Sequence, residues 1–434
     1  EDERIMGNER KDIRELSLKY AKLQTLINYV NVDSLREQHK KQLKNKAVGV
    51  DGVTKEEYSK NLEENLQDLM KRMRNFSYRP QSVRRTYIPK GNGKYRPLGI
   101  PAYEDKLVQG CMAYVLNEVY EPRFLDCSYG FRENRSAHDA IKEINQTIMI
   151  RKVNYILDCD IKGFFDNIDQ SWLIKFLEND IEDRNFIRYI VRFLKAGIME
   201  EGKIIESDKG TPQGGLISPI LANVYLHYVL DLWFTKGVKP KLKGESYLVR
   251  YADDFILMFQ YENEAQEVYE LLKERMAKFG LELSEDKTRI LPFGRYKGTN
   301  ETFDFLGFMH YNGKTKNGKY TVGHKISKKK KKQKKANIKK WVLDNLNIKT
   351  APLLQKLNVK LVGTFRYYGI NGMFEELLKL WKYCKYLCFK WLNRRSQRRS
   401  FSYLDYRRIW NYYLEKPRTY ADIWNWRENS KSYI

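Results

Sequence analysis

Apolar positions along the chain recur with two different periods, and the period distinguishes expected strands from expected helices. Residues 155–161 predict a strand, and two β-rich apolar runs within residues 247–259 predict a hairpin with residues 252–254 at its tip. Apolar residues at helical spacing predict a helix through residues 107–119 and another over residues 136–150, whose first residue is a serine N-cap. The chain is therefore expected to interleave helices with short strands.

Turn and capping signals predict further elements. Two strands separated by glycine and asparagine at residues 91–94 predict a second hairpin over residues 82–101. The other expectations, in chain order, are a polar helical segment over residues 1–46, helices over residues 55–75, 171–196 and 220–234, a helix capped by Asn263 and ended by Gly280, a buried strand over residues 303–308, and turns at Asn312-Gly313 and Asn317-Gly318.

The tip of the 247–259 hairpin carries two adjacent carboxylates, Asp253 and Asp254, after the small residue Ala252. At a turn both side chains can reach one region of space, whereas neighbours within a strand point to opposite faces. Two carboxylates held together repel each other, and a divalent cation that prefers oxygen ligands, such as Mg²⁺, relieves that repulsion. The alternative is an acidic turn exposed to solvent, because Asp is common in turns.

The strand at residues 155–161 supplies further acids close to its end. Asp158 and Asp160 are two residues apart and lie on one face, so the face does not decide which of them would bind a metal ion. The aromatic pair Phe164 and Phe165 follows the strand. Carboxylates delivered at strand ends suit a metal site.

The composition favours a polyanionic partner. The 434 residues carry a formal net charge of +25 at pH 7, and 14% of them are aromatic. A balance this basic points to nucleic acid or to an acidic membrane surface. Aromatic side chains among the basic ones favour nucleic acid, because rings can stack on bases.

The cysteine spacing and the lengths of the apolar runs indicate in which cellular compartment the protein is expected. The five cysteines form no CxxC pair, which argues against a disulfide framework and against a zinc site. No signal peptide and no apolar run of membrane-spanning length is found, so a cytoplasmic protein without a membrane partner is expected.

Three further stretches are candidates for contact with phosphate groups. The 82–101 hairpin carries a basic cluster, a glycine- and proline-bounded loop at residues 210–219 precedes an apolar helix, and residues 328–335 form a lysine run broken only by Gln333. Basic side chains and helix N-termini both bind phosphates. The alternatives are a charged surface ribbon, a tight turn before a helix and a solvated helix face.

These motifs, in this order, resemble those of reverse transcriptases, and in particular those of the maturase proteins encoded by bacterial group II introns. The resemblance extends from about residue 28 to the end of the chain. The motifs that carry it are Ser128-Tyr129-Gly130-Phe131-Arg132, Asp160 followed by Phe165, Thr211-Pro212-Gln213-Gly214-Gly215 with Ser218-Pro219, Tyr251-Ala252-Asp253-Asp254, Phe305-Leu306-Gly307-Phe308, and Gly363-Thr364-Phe365-Arg366-Tyr367-Tyr368 with residues 391–400. Glu133 departs from the usual Arg-Pro continuation, and we expect this departure to affect only the local loop.

The resemblance implies an α+β right-hand polymerase fold, in which fingers and palm are followed by an α-helical thumb or maturase domain. The implied domains are residues 1–110 for the N-terminal extension and fingers, 111–323 for the palm with the remaining fingers elements, 324–400 for the thumb, and 401–434 for a basic, aromatic tail. No His/Cys-rich endonuclease segment follows the maturase part, so cleavage of the second DNA strand is not expected.

The resemblance also implies roles for individual residues. Asp160, Asp253 and Asp254 would be catalytic and, with the backbone carbonyl of Ile161, would hold two Mg²⁺ ions, for which Mn²⁺ could substitute. Nucleotide contacts would come from Arg84, Lys90, Arg96, Phe165, Gln213, Ala252 and Lys287. Phe305, Leu306 and Gly307 would grip the primer. RNA would be bound by Lys328, Lys329, Lys330, Lys331, Lys332, Lys334, Lys335, Arg394, Arg395, Arg398 and Arg399.

Two of these residues have specific expected tasks and plain alternatives. Phe165 would lie under the sugar of the incoming nucleotide and exclude a 2′-hydroxyl, or it is a core aromatic beside Phe164. Lys287 would protonate the leaving pyrophosphate, or it is an ordinary surface lysine.

The implied function is RNA-directed DNA synthesis from an RNA template, a DNA primer and dNTPs, together with binding of structured group II intron RNA to assist splicing and mobility. One alternative is an RNA-binding splicing cofactor without polymerase activity. Another is a domesticated relative that serves in phage defence or beside a CRISPR system.

Overall fold

The structure of the protein, a computed structural model, describes residues 12–91, 94–200, 203–205, 209–210, 214–395 and 400–425. The helices in these ranges are α1 (12–19), α2 (Val32–Lys41), α3 (Lys55–Tyr58), α4 (Leu62–Arg74), α5 (Tyr103–Tyr120), α6 (Ala137–Ile150), α7 (Phe164–Asn167), α8 (Gln170–Asp180), α9 (Arg184–Leu194), α10 (Ser218–Leu226), α11 (Glu262–Lys278), α12 (Lys328–Asp344), α13 (Thr350–Tyr368), α14 (Phe374–Leu392) and α15 (Tyr403–Tyr413). The strands are β1 (Val83–Gly91), β2 (Lys94–Ile100), β3 (Tyr155–Asp160), β4 (Ile198–Glu200), β5 (Lys203–Ile205), β6 (Ser246–Tyr251), β7 (Asp254–Phe259), β8 (Arg289–Pro292), β9 (Thr302–Phe305), β10 (Phe308–Lys314) and β11 (Tyr320–Ile326).

A four-stranded sheet with the order β6-β7-β3-β8 carries the acidic motifs. Its neighbouring strands all pair antiparallel. Strand β7 is apolar throughout after Asp254. Its side chains enter two hydrophobic cores, one containing Phe255, Leu257 and Phe259 and the other containing Ile256 and Met258. The sheet is therefore buried on both faces, and its strands show continuous apolar runs rather than alternation.

Each face of this sheet is covered by a different set of elements. The first core contains the apolar sides of α4, α5, α8, α9, α10 and α11. The second core contains α6, the strands β9–β11 and the helices α12–α15, and it extends from Tyr129 to Ile423. The lysine-rich helical part thus shares one hydrophobic core with the back of the acidic sheet.

Two smaller sheets flank the central one. The first has the order β2-β1-β4-β5, and its β1–β2 hairpin is the predicted basic hairpin. The second is an antiparallel meander of β9, β10 and β11. Within the described ranges, no helix has both the length and the apolar character that a membrane crossing requires.

Several predicted elements have different limits in the structure. Residues 171–196 form two helices, because Asp183 caps a new helix with hydrogen bonds to the amides of Asn185 and Phe186. The helix expected to be capped by Asn263 begins earlier, at Glu262, with Tyr261 at the N-cap position. The predicted 220–234 helix continues beyond α10 as two π-helical segments, His227–Asp231 and Trp233–Val238.

Two predictions in the β-meander were wrong. Residues 303–308 are not one strand, because Leu306 and Gly307, at φ angles of 51° and 81°, form a turn between the end of β9 and the start of β10. Asn312-Gly313 lies inside β10, paired with Val322 and Thr321, because that strand continues to Lys314. The turn predicted at Asn317-Gly318 is confirmed, with Gly318 at a φ of 77°.

The domain limits stay predictions, but the elements show where a limit could fall. The boundary after residue 110 would cut α5, and the boundary after residue 323 would cut β11. Domain boundaries that leave both elements intact would lie in the connecting segments before Tyr103 and after Ile326.

Candidate active site

The hairpin predicted around residues 252–254 is present as β6 and β7. Tyr251 pairs with Asp254, so only Ala252 and Asp253 form the turn. Ala252 has a φ of 57°, in the left-handed region. That conformation costs an L-residue about 1–2 kcal/mol, so the surrounding structure must hold the turn in place.

The end of β3 meets this turn directly. Asp160 is paired with Asp254 on the adjacent strand, which places the two carboxylate-bearing residues opposite each other. Asp158 lies two residues further into the sheet, between Ile256 and Arg289. Burial raises the pKa of Asp158 to about 7, against the opposing effect of the Arg289 guanidinium 4.0 Å away. The strand pairing thus places Asp160, and not Asp158, directly opposite Asp254.

The carboxylates influence one another electrostatically. Although the Asp254 side chain is exposed at the end of β7, desolvation by the surrounding protein atoms, followed by the charges of Asp253 and Asp160, raises its pKa to about 6. The ammonium groups of Lys287 and Lys330 act in the opposite direction. Repulsion of this kind is what a bound cation relieves.

Lys287 provides a positive charge at this cluster. Its Nζ lies 2.6 Å from Oδ2 of Asp160, and both side chains retain contact with solvent. Over the described ranges, no three His, Cys, Asp or Glu side chains are already arranged around a common metal position. A metal ion that binds Oδ2 of Asp160 would compete with the Lys287 ammonium for that oxygen.

The donor atoms available here are nevertheless of the type that Mg²⁺ selects, since they are all oxygens. The backbone bridge between Ile161 and Leu283 uses the carbonyl of Asp160 and the amide of Lys162. That bridge leaves the Ile161 carbonyl outside its two hydrogen bonds, next in the chain to Asp160. Asp160, Asp253, Asp254 and the Ile161 carbonyl thus fit an oxygen-ligated ion in chemical type.

The basic β1–β2 hairpin presents two predicted nucleotide contacts on one face. Arg84 pairs with Ile100, and Ile88 pairs with Arg96, so both arginines share the face of Leu98. Both arginines are exposed, and Arg84 Nε donates to the Val48 carbonyl at 3.0 Å. The backbone at Lys90 belongs to β1, but its side chain lies outside the described part.

The glycine-rich loop contacts this same face. A Cβ on Gly214 would lie 2.5 Å from the Gly99 carbonyl oxygen and 2.8 Å from Leu98 Cδ1, and its φ of 104° favours glycine. The loop before α10 therefore packs closely against the hairpin. Gln213 lies outside the described residues.

Phe165 and Phe164 have different surroundings. Phe164 is buried, whereas Phe165 is half-buried against it, with ring centroids 5.3 Å apart. Gly210 packs against the backbone here, since a Cβ there would lie 2.9 Å from the Phe165 carbonyl oxygen. Of the two rings, Phe165 is the one with an accessible surface.

The predicted primer grip is the turn at Leu306-Gly307, and helix α13 holds it. Tyr367 Oη donates to the Leu306 carbonyl at 2.8 Å. A Cβ on Gly307 would lie 2.8 Å from Tyr368 Oη and 3.5 Å from Lys330 Cγ. The Tyr367-Tyr368 pair thus joins the helical part to this turn.

The lysine run forms the start of α12 and has two sides. Lys331 Nζ binds Glu376 at 2.8 Å, and Lys334 and Lys335 lie over the rings of Tyr368 and Tyr383. These three side chains contact the protein itself, whereas the exposed members of the run are Lys328, Lys329, Lys330 and Lys332.

The C-terminal arginine cluster is only partly described. Arg395 donates to the Ile348 carbonyl and to Thr350 Oγ1, and Arg394 lies over the Trp391 ring. Both arginines are exposed. Arg398 and Arg399 lie outside the described residues.

Residues that the sequence interpretation left without a role surround the acidic turn. Arg250 lies beneath it, fully buried, and Gly130 packs against Ala252. Gly130 belongs to one of the motifs that carry the family resemblance, and Arg250 directly precedes another. The sequence signal for Arg250 was a charged residue within an otherwise apolar strand. Glu133, which departs from the family pattern, accepts a hydrogen bond from Arg14 at 3.2 Å.

Comparison with known proteins gives related chains. Residues 88–310 match the family described as Reverse transcriptase (RNA-dependent DNA polymerase). The group II intron-encoded protein LtrA of Lactococcus lactis subsp. cremoris is 34% identical over 313 residues, covering 70% of this chain and 50% of that protein. Protein YkfC of Escherichia coli K12 is 32% identical over 309 residues, covering 63% of this chain and 78% of that protein. The putative COX1/OXI3 intron 1 protein of Saccharomyces cerevisiae is 29% identical over 263 residues, covering 50% of this chain and 31% of that protein.

The chain spans about half the length of the first of these relatives. The matched family region contains the paired Asp160 and Asp254, the turn residue Asp253 and Lys287. The resemblance inferred from the motifs is confirmed, and the chain belongs to the reverse transcriptase family, with similarity to group II intron-encoded proteins.

Proposed function

We propose that the protein is an RNA-directed DNA polymerase that extends a DNA primer on an RNA template with dNTPs. The observation that carries this proposal is the placement of three carboxylates at one end of a buried sheet. Asp160 and Asp254 are paired across β3 and β7, and Asp253 occupies the turn between β6 and β7. The family match and the basic hairpin support the same function.

Each group then has a defined task. Two Mg²⁺ ions held by Asp160, Asp253, Asp254 and the Ile161 carbonyl would activate the primer 3′-hydroxyl and neutralise the triphosphate. Arg84 and Arg96 bind the triphosphate from the hairpin face, with Lys90 and Gln213 as further contacts. Phe165 and Ala252 line the sugar of the incoming nucleotide.

Lys287 would exchange one partner for another in this reaction. Its ammonium pairs with the Asp160 carboxylate in the structure. With a cation held at the carboxylates, Lys287 would be free to donate a proton to the leaving pyrophosphate. A lysine suits this exchange, because its flexible four-carbon stem lets the ammonium reach either the Asp160 carboxylate or the pyrophosphate.

We further propose that the protein binds structured intron RNA through phosphates. The exposed lysines of α12 and the exposed Arg394 and Arg395 supply the charge. Two of the similar proteins are described as intron-encoded or intron proteins, which favours this class of RNA. The turn Leu306-Gly307 would hold the primer end between the acidic site and this helical part.

Primer extension on an RNA template with Mg²⁺ tests the polymerase function, with wild type beside Asp253→Ala. We expect the variant to lose at least about 100-fold in rate, because several kcal/mol of charge stabilisation depend on the metal ligands. Asp286→Asn changes the same charge at an exposed position near Lys287 and should extend like wild type.

The contrary outcomes separate the alternatives. Full extension by Asp253→Ala would contradict the assigned carboxylates. No extension by wild type, with tight binding of structured RNA, would identify a splicing cofactor without polymerase activity. Extension without preference for intron RNA would favour a domesticated relative.

A further inference from the structure

Arg250 is buried directly beneath the acidic turn, and its guanidinium uses its full set of donors. Nε and Nη2 donate to the two carboxylate oxygens of Asp231 at 2.7 and 2.5 Å. Nη2 also donates to Ser128 Oγ at 2.7 Å. Nη1 donates to Asn223 Oδ1 at 2.9 Å and to the Ala252 carbonyl at 3.0 Å. Five N–H groups thus make five hydrogen bonds, and one of them holds the turn itself.

The backbone of a second segment supports the turn from the side. The Arg250 amide donates to the Cys127 carbonyl, and the Tyr129 amide donates to the Arg250 carbonyl, each at 2.8 Å. Gly130 then packs against the turn, since a Cβ there would lie 2.4 Å from the Ala252 nitrogen. Asn223 Nδ2 donates to the Gly130 carbonyl at 2.7 Å, so the two supports are linked.

From these contacts we infer that Arg250 is a positioning residue that sets the orientation of the Asp253 carboxylate. The carbonyl that it holds belongs to the peptide unit between Ala252 and Asp253. Because a peptide unit is planar, fixing that oxygen also fixes the plane of the Asp253 amide and the position of the Cα atom from which the carboxylate side chain extends. The inference rests on the proposed function, in which Asp253 is a metal ligand.

The left-handed conformation of Ala252 explains why such a support is required. An alanine at a φ of 57° relaxes unless its neighbours hold it. The Asp231 carboxylate compensates the buried charge of Arg250, while the remaining N–H groups reach the turn and its neighbours. A lysine would retain the charge but could not form this planar five-donor arrangement.

The test is Arg250→Lys in the full chain, with Mn²⁺ as the probe ion. Free Mn²⁺ measured by electron paramagnetic resonance gives the affinity without any turnover. We expect the affinity to fall by about 10-fold or more and kcat for primer extension to fall by about 10–100-fold, as for other groups that orient metal ligands. KM for the primer–template should stay unchanged, because the phosphate contacts lie elsewhere.

A matched control separates positioning from stability. Arg123 binds the largely buried Asp180 at 2.6 Å and also donates to Ser17 Oγ and to backbone carbonyls, and none of these partners belongs to the acidic turn. Arg123→Lys should lower the unfolding temperature while leaving Mn²⁺ affinity and kcat at wild-type values. All variants are compared at a temperature where each is fully folded.

A second variant keeps the inference testable if Arg250→Lys does not fold. Gly130→Ala presses a methyl group against the Ala252 nitrogen without changing Arg250, and the same loss of Mn²⁺ affinity is expected. Wild-type affinity in both folded variants, or in Gly130→Ala alone where Arg250→Lys fails to fold, would overturn the inference. If wild type binds Mn²⁺ no more tightly than Asp253→Ala and does not extend primers, the proposed function itself fails.

Discussion

Asp254 carries an electrostatic cost that its position imposes. Although its side chain is exposed, desolvation by neighbouring protein atoms and the charges of Asp253 and Asp160 raise its pKa to about 6. The folded chain therefore binds a proton at this carboxyl more tightly than the unfolded chain does. Without metal, the ionised Asp254 destabilises the fold above pH 6, and that destabilisation fades as the pH falls.

Removing this destabilising charge with Asp254→Asn should stabilise the fold at neutral pH. In EDTA at pH 7.5, we expect a higher unfolding temperature than wild type, and we expect the difference to shrink below pH 6, where the wild-type carboxyl takes up its proton. Circular dichroism melts across this range measure the effect, with Asp286→Asn as the control for surface charge. A variant no more stable than wild type at pH 7.5 would contradict the prediction.

The strands β10 and β11 carry a buried histidine pair. His310 and His324 are cross-strand partners with ring centroids 4.7 Å apart, and His310 stacks on Phe303 at 4.5 Å. Burial lowers the pKa of His324 to about 4, and burial together with the neighbouring His324 lowers the pKa of His310 well below its usual value. Both rings are therefore held neutral in the folded protein.

This element should make the fold sensitive to acid. A histidine with a depressed pKa contributes its full stability above about pH 6.5, the unfolded value, and loses it as the pH falls towards the folded value near 4. We expect His324→Phe to flatten the loss of stability between pH 6.5 and 4, measured by urea unfolding at each pH. His138→Gln, at a half-buried position on α6, serves as the control and should leave that slope unchanged.

The helix α12 shows how one charged segment serves two purposes. Its inward lysines bind Glu376 and cover the rings of Tyr368 and Tyr383, and so attach the helix to α13 and α14. Its outward lysines remain available to a polyanion. The helix is thus better described by two faces than as one uniform basic patch.

For the whole molecule, we expect the proposed RNA binding to weaken steeply with salt, because the net charge is +25. Changing Lys328, Lys329 and Lys332 to Ala should reduce the slope of log K against log salt by about 0.7–0.9 for each phosphate that the variant no longer neutralises. Filter binding of structured RNA across a salt series gives that slope. Removing the exposed lysines Lys175, Lys236 and Lys278, which lie outside α12, should change it less.

An equal change of slope in both triple variants would show that binding follows total charge and not the α12 face. The distinction matters because the second core joins α12 to the back of the acidic sheet. RNA held on α12 would thus be positioned relative to the site through one continuous hydrophobic core.

The elements whose physics is local could be predicted from the chain without any tertiary contact. The β6–β7 hairpin follows from two apolar runs around a turn, and α6 follows from Ser136, which forms a capping box with Asp139. The acidic motifs, the basic hairpin and the resemblance to the family could likewise be recognised in the sequence alone. Period, turn chemistry and capping depend on neighbours in the chain, and a single sequence contains those neighbours.

Which of these residues act together depends on contacts between distant parts of the chain. Strand pairing places Asp160 rather than Asp158 opposite Asp254, and the fold brings Lys287 to Asp160. The Leu306 turn was missed because its left-handed φ is held by contact with Tyr367, far along the chain. Arg250 acquires its place from Asp231, Asn223 and Ser128, and contacts across such separations leave no periodic signal in a single sequence.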